Sequence, residues 1–209
     1  MTNIHGILRL GLVAAALLGA TQATSAQTLA ALPAASVPAA TVGEARPVLG
    51  WVGFCERHPQ ECEVDVTEQA TITLNGRLWQ TIVSVNRQVN NSIKPMTDQA
   101  HWGVPDSWDF PTDGIGDCED YQLFKRKLLS DAGIPRRAMR ITVVIDEKRE
   151  GHAVLMIRTD RGDFILDNKT SSILPWHQTG YTYVKREGQD GSAWVSLGGA
   201  TAPMVTANR

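Results

Sequence analysis

Cys118 stands in the run Gly116-Asp117-Cys118-Glu119-Asp120, where a helix is expected to begin. A helix start offers free N–H groups and the positive end of the helix dipole, which stabilise a thiolate. That makes a cysteine nucleophile the chemistry to test first. The neighbours pull the other way, because Asp117, Glu119 and Asp120 would each raise the thiol pKa. A bound cation would relieve that conflict.

A thiol nucleophile needs a base, and the chain has five histidines. His5 lies near the N-terminus, His58 between two cysteines, His101 before Trp102 and His177 in a loop after Pro175-Trp176. Only His152, in Gly151-His152-Ala153-Val154-Leu155, heads an expected strand. Gly162–Leu166 reads as the next strand, and a two-residue turn at Asp160-Arg161 places position 152 opposite 169. Asp167 is then a diagonal neighbour on the same face, ~7–8 Å away between backbones and within side-chain reach. Slipping the turn by one residue would put it on the other face. Cys118, His152 and Asp167 thus satisfy the logic of nucleophile, base and orienter. Alone, Asp167-Asn168 also reads as a turn closing a strand.

These residues need elements to hold them. Leu78, Ile82, Val85 and Val89 recur at helical spacing through 75–91. A second helix is expected over 117–130, stopped by Gly133 and Pro135, with its acids first and Lys125, Arg126 and Lys127 later. The period then changes to two, with strands expected over 138–145, 152–158, 162–166, 181–186 and 193–197. Helices followed by an antiparallel meander give an α+β fold. Between the helices, 98–116 is a long loop rich in Gly and Pro, and loops of that length usually serve a function. Trp102 and Trp108 lie in it, as groove-lining residues that would bind substrate or as core plugs.

The chain has 209 residues. Arg9, the apolar run 10–20 and the small residues ending at Ala26 have the form of a secretory signal peptide over 1–26. The apolar run is shorter than the ~20 residues of a membrane span, so no span is expected after cleavage. Residues 27–46, rich in Ala, Thr, Pro and Val, read as a flexible lead-in. Residues 47–209 then form one domain of roughly 160 residues, enough for a full core. A net charge of −2 gives no basic footprint for nucleic acid. Three cysteines are an odd number for an exported chain. Cys55 and Cys62, flanking Pro59 in a loop-like stretch, can close a small disulfide loop, which leaves Cys118 free.

Trp102-Gly103, Asp106-Ser107-Trp108, Gly116-Asp117-Cys118-Glu119-Asp120-Tyr121, Lys125, Gly133, Gly151-His152-Ala153-Val154-Leu155 and Leu166-Asp167-Asn168 resemble the bacterial transglutaminase-like cysteine proteinases, the LapG-type periplasmic proteases. The resemblance runs from about Trp51 to Trp176. It implies a papain-like, transglutaminase-like α+β fold with N-terminal helices packed on an antiparallel sheet. It also implies a Cys-His-Asp triad at Cys118, His152 and Asp167, and Ca²⁺ held by Asp117 and Glu119. The implied activity is periplasmic cleavage of a large surface adhesin, releasing biofilm. The implied partner is an inner-membrane receptor for cyclic di-GMP. Two other readings share the same residues: an amide-exchanging transglutaminase, and a calcium-dependent binding module with an inactive triad.

Overall fold

A computed structural model of the protein describes residues 31–191 and 193–199. The expected signal peptide over 1–26 lies outside the described residues.

The chain forms strand β1 (Gly43–Ala45) and helices α1 (Leu49–Arg57) and α2 (Pro59–Cys62). Helix α3 (Gly76–Ser92) follows, with the Asn75 side chain accepting from the Leu78 N–H at 2.9 Å. That cap satisfies one of the free donors of the first turn. Strand β2 (Lys94–Pro95), helix α4 (Asp98–His101) and strand β3 (Ile115–Gly116) come next, then helix α5 (Cys118–Asp131). Gly133, at φ +87°, ends α5 in the left-handed conformation that glycine tolerates without strain. The rest is β: β4 (Met139–Ile145), β5 (Gly151–Thr159), β6 (Gly162–Leu166), β7 (Leu174–Pro175), β8 (Thr182–Glu187) and β9 (Trp194–Ser196).

Seven strands form one antiparallel sheet in the order β1-β9-β8-β4-β5-β6-β7. The short β2 and β3 pair in parallel beside it. Helices α1, α3 and α5 cover one face, closing a core of Phe54, Trp79, Ile82, Leu123, Leu129, Ile141 and Leu155. The other face buries Val144, Val154, Met156, Ile165 and Tyr183. With both faces covered, β5 is buried almost along its whole length, as expected for a central strand between two layers. Among the described residues, no helix is long and apolar enough to cross a membrane.

Two expectations need correcting. The lead-in, expected flexible over 27–46, is bound to the sheet from Pro33 onward; the Pro33 carbonyl accepts from Arg161 Nε (2.8 Å). Ser36 N–H donates to Arg161 O (2.7 Å), Ala39 N–H to Asp163 Oδ2 (2.8 Å) and Val42 N–H to Ser196 O (3.0 Å). The Trp176 indole donates to Val37 O (2.9 Å). Small uncharged residues, which suggested disorder, are what a strap lying flat across an apolar sheet face needs. The Cys55–Cys62 stretch, expected loop-like, is two short helices, α1 and α2. The two cysteines are bonded across that corner with Cα atoms 5.6 Å apart, and Cys118 is the free one.

Candidate active site

Asp117 is the N-cap of α5, and its backbone N–H donates to Asp120 Oδ2 at 3.3 Å three residues on. Such a reciprocal cap fixes where a helix begins, and it places Cys118 in the first turn. The helix packs on β5, and the Ala153 N–H points at the Cys118 sulfur. His152, the residue before, is the second residue of β5. The thiol itself donates to Glu119 Oε2 at 3.0 Å.

Asp167 directly follows β6. Thr159 pairs with Gly162 and Leu155 with Leu166, the register that a two-residue Asp160-Arg161 turn requires. His152 and Asp167 are consequently diagonal neighbours, and His152 Nε2 lies 2.9 Å from Asp167 Oδ1. Both side chains are buried. The Lys169 N–H adds a second bond to Oδ1 (3.0 Å), and the Tyr181 hydroxyl donates to Oδ2 (2.6 Å). Burial alone would raise the Asp167 carboxyl. The hydrogen bonds and charge of His152, with Tyr181, override it and hold the carboxyl down to about 2. From α3, Asn90 Nδ2 donates to the backbone carbonyl of Asp167 (2.8 Å) and so fixes the turn that carries it.

On the other side of Cys118, Asp98, Asp117 and Glu119 each bring one carboxylate oxygen within 4.8 Å of the others. All three are buried. Asp98 heads α4, its N–H donates to Asp117 Oδ2 (3.1 Å), and its own Oδ2 accepts from Ser107 N–H. Burial, reinforced by the Asp98 charge, pushes Asp117 up to about 6. Burial and the charges of Asp117 and Asp120 push Glu119 well up. Burial, then Glu119 and Asp117, hold the Cys118 thiol far above its ordinary value. A hard dication suits this donor set. Three carboxylates converge in a buried space and Asp117 Oδ1 receives no hydrogen bond. Asp120 acts differently. It accepts from Asp109 N–H (2.9 Å) and Asp117 N–H (3.3 Å), clamping the preceding loop to the helix start.

Trp102 and Trp108 part company. Trp102 is 58% exposed, with its ring stacked on His101 at 3.8 Å. Trp108, expected beside it as a substrate-binding residue, is fully buried. Its indole donates to Asp106 Oδ1 (3.1 Å) and packs against Gly50, where an added Cβ would come within 2.4 Å. A Gly/Pro-rich loop does not announce which of its tryptophans turns inward, and α1 supplies the slot.

Asp98, Asn90 and Tyr181 were not singled out from the sequence. Asp98 follows Thr97 at a helix start, an ordinary capping signature, and nothing local ties it to Asp117. Asn90 sits one helical turn after Asn86, which donates to Ser171 O (3.2 Å). Two asparagines on the buried side of an amphipathic helix were the available signal. Tyr181 carried none.

The family model of the bacterial transglutaminase-like cysteine proteinases matches residues 41–202. The chain belongs to that family. It is therefore a cysteine peptidase. Calcium-bound LapG of Legionella pneumophila is 24% identical over 62% of this chain and 80% of that chain, with a TM-score of 0.50. That likeness shows a shared fold. Legionella pneumophila LapG in a second structure is 27% identical over 58% and 70% of the two chains (TM-score 0.49), and in an EGTA-treated one 28% identical over 56% and 67% (TM-score 0.49). No curated protein matches the sequence.

Proposed function

We propose that the proteinase is a periplasmic, calcium-dependent endopeptidase with Cys118 as nucleophile, His152 as base and Asp167 as orienter, and that it cuts a large surface adhesin. The observation that carries this reading is the buried His152–Asp167 bond set against the helix start that presents Cys118.

Asp167 engages Nε2, so Nδ1 is the nitrogen that takes the Cys118 proton. The thiolate attacks the peptide carbonyl, and the backbone N–H of Cys118 faces the oxyanion. His152 then hands its proton to the leaving amine, and a thioester remains on Cys118. Water, deprotonated by His152, releases the acid and restores the thiol. Asp167 stays ionised throughout and stabilises the imidazolium.

Asp98, Asp117 and Glu119 are the residues that would hold Ca²⁺. When bound, the ion supplies positive charge beside the thiol, where this chain otherwise places only carboxylates. The calcium-bound form of Legionella LapG supports the choice of metal. Export is supported by the pattern of residues 1–26 and by the Cys55–Cys62 bond, which suits an oxidising compartment. The adhesin substrate, the role in biofilm release and a cyclic di-GMP receptor as partner rest on the family resemblance.

The test is to incubate the mature protein with the N-terminal region of a large adhesin from the same organism. A single cut is expected with Ca²⁺, and none with excess EGTA or with Cys118→Ala. Cutting that persists in Cys118→Ala would sink the assignment. Trp102, exposed near the site, is the proposed substrate contact, so Trp102→Ala should raise KM and leave Tm unchanged.

A further inference from the structure

Asp167 has two oxygens, and the acyl-transfer reaction uses one of them. Oδ1 faces His152, while Oδ2 is taken by the Tyr181 hydroxyl at 2.6 Å. The Tyr181 ring also stands edge-on to the imidazole, centroids 5.8 Å apart at 79°. One side chain therefore touches both ends of the His152–Asp167 pair.

The ring is itself held in place. Lys169 Nζ lies over it at 5.8 Å from the centroid, and the same ammonium bonds Asp146 Oδ2. Asp146 is anchored by the Lys148 N–H (2.9 Å) and the Glu150 N–H (2.8 Å) of the β4–β5 turn. The Tyr181 N–H donates to Thr179 Oγ1 (3.3 Å), which sets where the residue enters the site. Two turns from different parts of the chain thus lock a half-buried tyrosine over a buried pair.

We propose that Tyr181 is a positioning residue for the Cys118–His152–Asp167 reaction. Its hydroxyl fixes the orientation of Asp167 and draws off part of its charge, and its ring keeps water from the His152–Asp167 bond. The inference rests on the triad reading.

The phenol serves only as a donor. Burial, the bond to Asp167 and that residue's charge all push its ionisation upward, so the proton stays on oxygen. A donor on Oδ2 shares the negative charge that would otherwise concentrate on Oδ1. Without it the carboxylate holds the His152 proton more tightly, and the imidazolium is favoured. Other charged or titratable groups that act on the pair are Lys125 from α5, Lys169 beside Asp167 and Tyr183 from β8, while Asp146 and Glu147 of the β4–β5 turn act on Tyr181 itself. They are common to wild type and the Tyr181 variants, so they cancel in the comparison.

The experiment is an NMR titration of His152 in the full mature protein, isotope-labelled at histidine and saturated with Ca²⁺, with His152→Ala identifying the signal. In Tyr181→Phe the His152 pKa should lie about 0.5–1 above wild type, the scale of one lost hydrogen bond to a charged group. The retained ring should leave the Nε2–H protected from exchange. In Tyr181→Leu that proton should exchange at least about tenfold faster, because the cover is gone. If Tyr181→Phe is too unstable to titrate, 3-fluorotyrosine at position 181, a stronger donor, should move the pKa downward. A His152 pKa that ignores the donor at 181, or an exchange rate unchanged in Tyr181→Leu, overturns the proposal. Full proteolysis by Cys118→Ala or His152→Ala would instead overturn the triad reading, which these NMR readouts do not depend on.

Discussion

The candidate site holds two sets of buried carboxylates, and they behave in opposite ways. Asp167 is held down to about 2, while Asp117 is pushed up to about 6 and Asp120 to about 8. Burial does not separate them, since Asp167 is 3% exposed and Asp120 is 4% exposed. Their partners do. Asp167 receives His152, Tyr181 and the Lys169 N–H. Asp120 receives two backbone N–H groups, yet it faces Asp117 and Asp98, whose charges add to the cost of burial. A carboxylate paired within the chain is complete as folded. A carboxylate crowded by its own kind keeps its proton to higher pH, and a cation beside it would reverse that.

The largest expected effect comes from spoiling the self-sufficient side. Asp167→Asn keeps the shape but removes the charge that supports the imidazolium, so kcat should fall about 10²–10⁴-fold. Calcium affinity should be unchanged, because Asp167 belongs to the other set. A parallel loss of calcium binding would show that the two sets are not separate.

Next comes the crowded side. Asp98→Asn removes one charged oxygen from the proposed metal site and should raise the calcium needed for half-maximal activity by about 10–100-fold. Excess Ca²⁺ should restore kcat. Calcium titrations followed by activity and by calorimetry check this, and an unaltered requirement would remove Asp98 from the ligand set.

The smallest effect is in stability, where the two sets have opposite signs. Asp117 and Asp120 have folded pKa values above the unfolded value of about 3.9. Their contribution is fully present below that value and is lost as pH rises through about 6 and about 8. Asp167 has a depressed value, so its contribution is present above about 4 and is lost as pH falls through about 2. In EGTA, Tm should therefore decline between about pH 5 and 8, and saturating Ca²⁺ should flatten that decline. A calcium-free Tm that rises over this range would contradict the assignment of raised values to the cluster.

Much of this arrangement was legible in short stretches of sequence. The start of α5 at Asp117 and its stop at Gly133 followed from caps and charge order, which act within a single turn. The His152–Asp167 diagonal followed from turn length, because a side-chain period of two leaves register no freedom once the Asp160-Arg161 turn is set. Strands β1, β2, β3 and β7 were not legible. Each has two or three residues, too few to show a period, and each exists only because a partner strand supplies its hydrogen bonds.

By itself the sequence determined a free cysteine at a helix start and a histidine and an aspartate in diagonal register across a hairpin, the residues proposed as nucleophile, base and orienter. Only the tertiary structure decided what surrounds them. It joined Asp98 to Asp117, seated Tyr181 on Asp167, turned Trp108 into the core and laid the N-terminal strap across the sheet. Each of these contacts links residues set by packing and not by spacing, and a buried charge or ring takes its partner from whichever element lies against it.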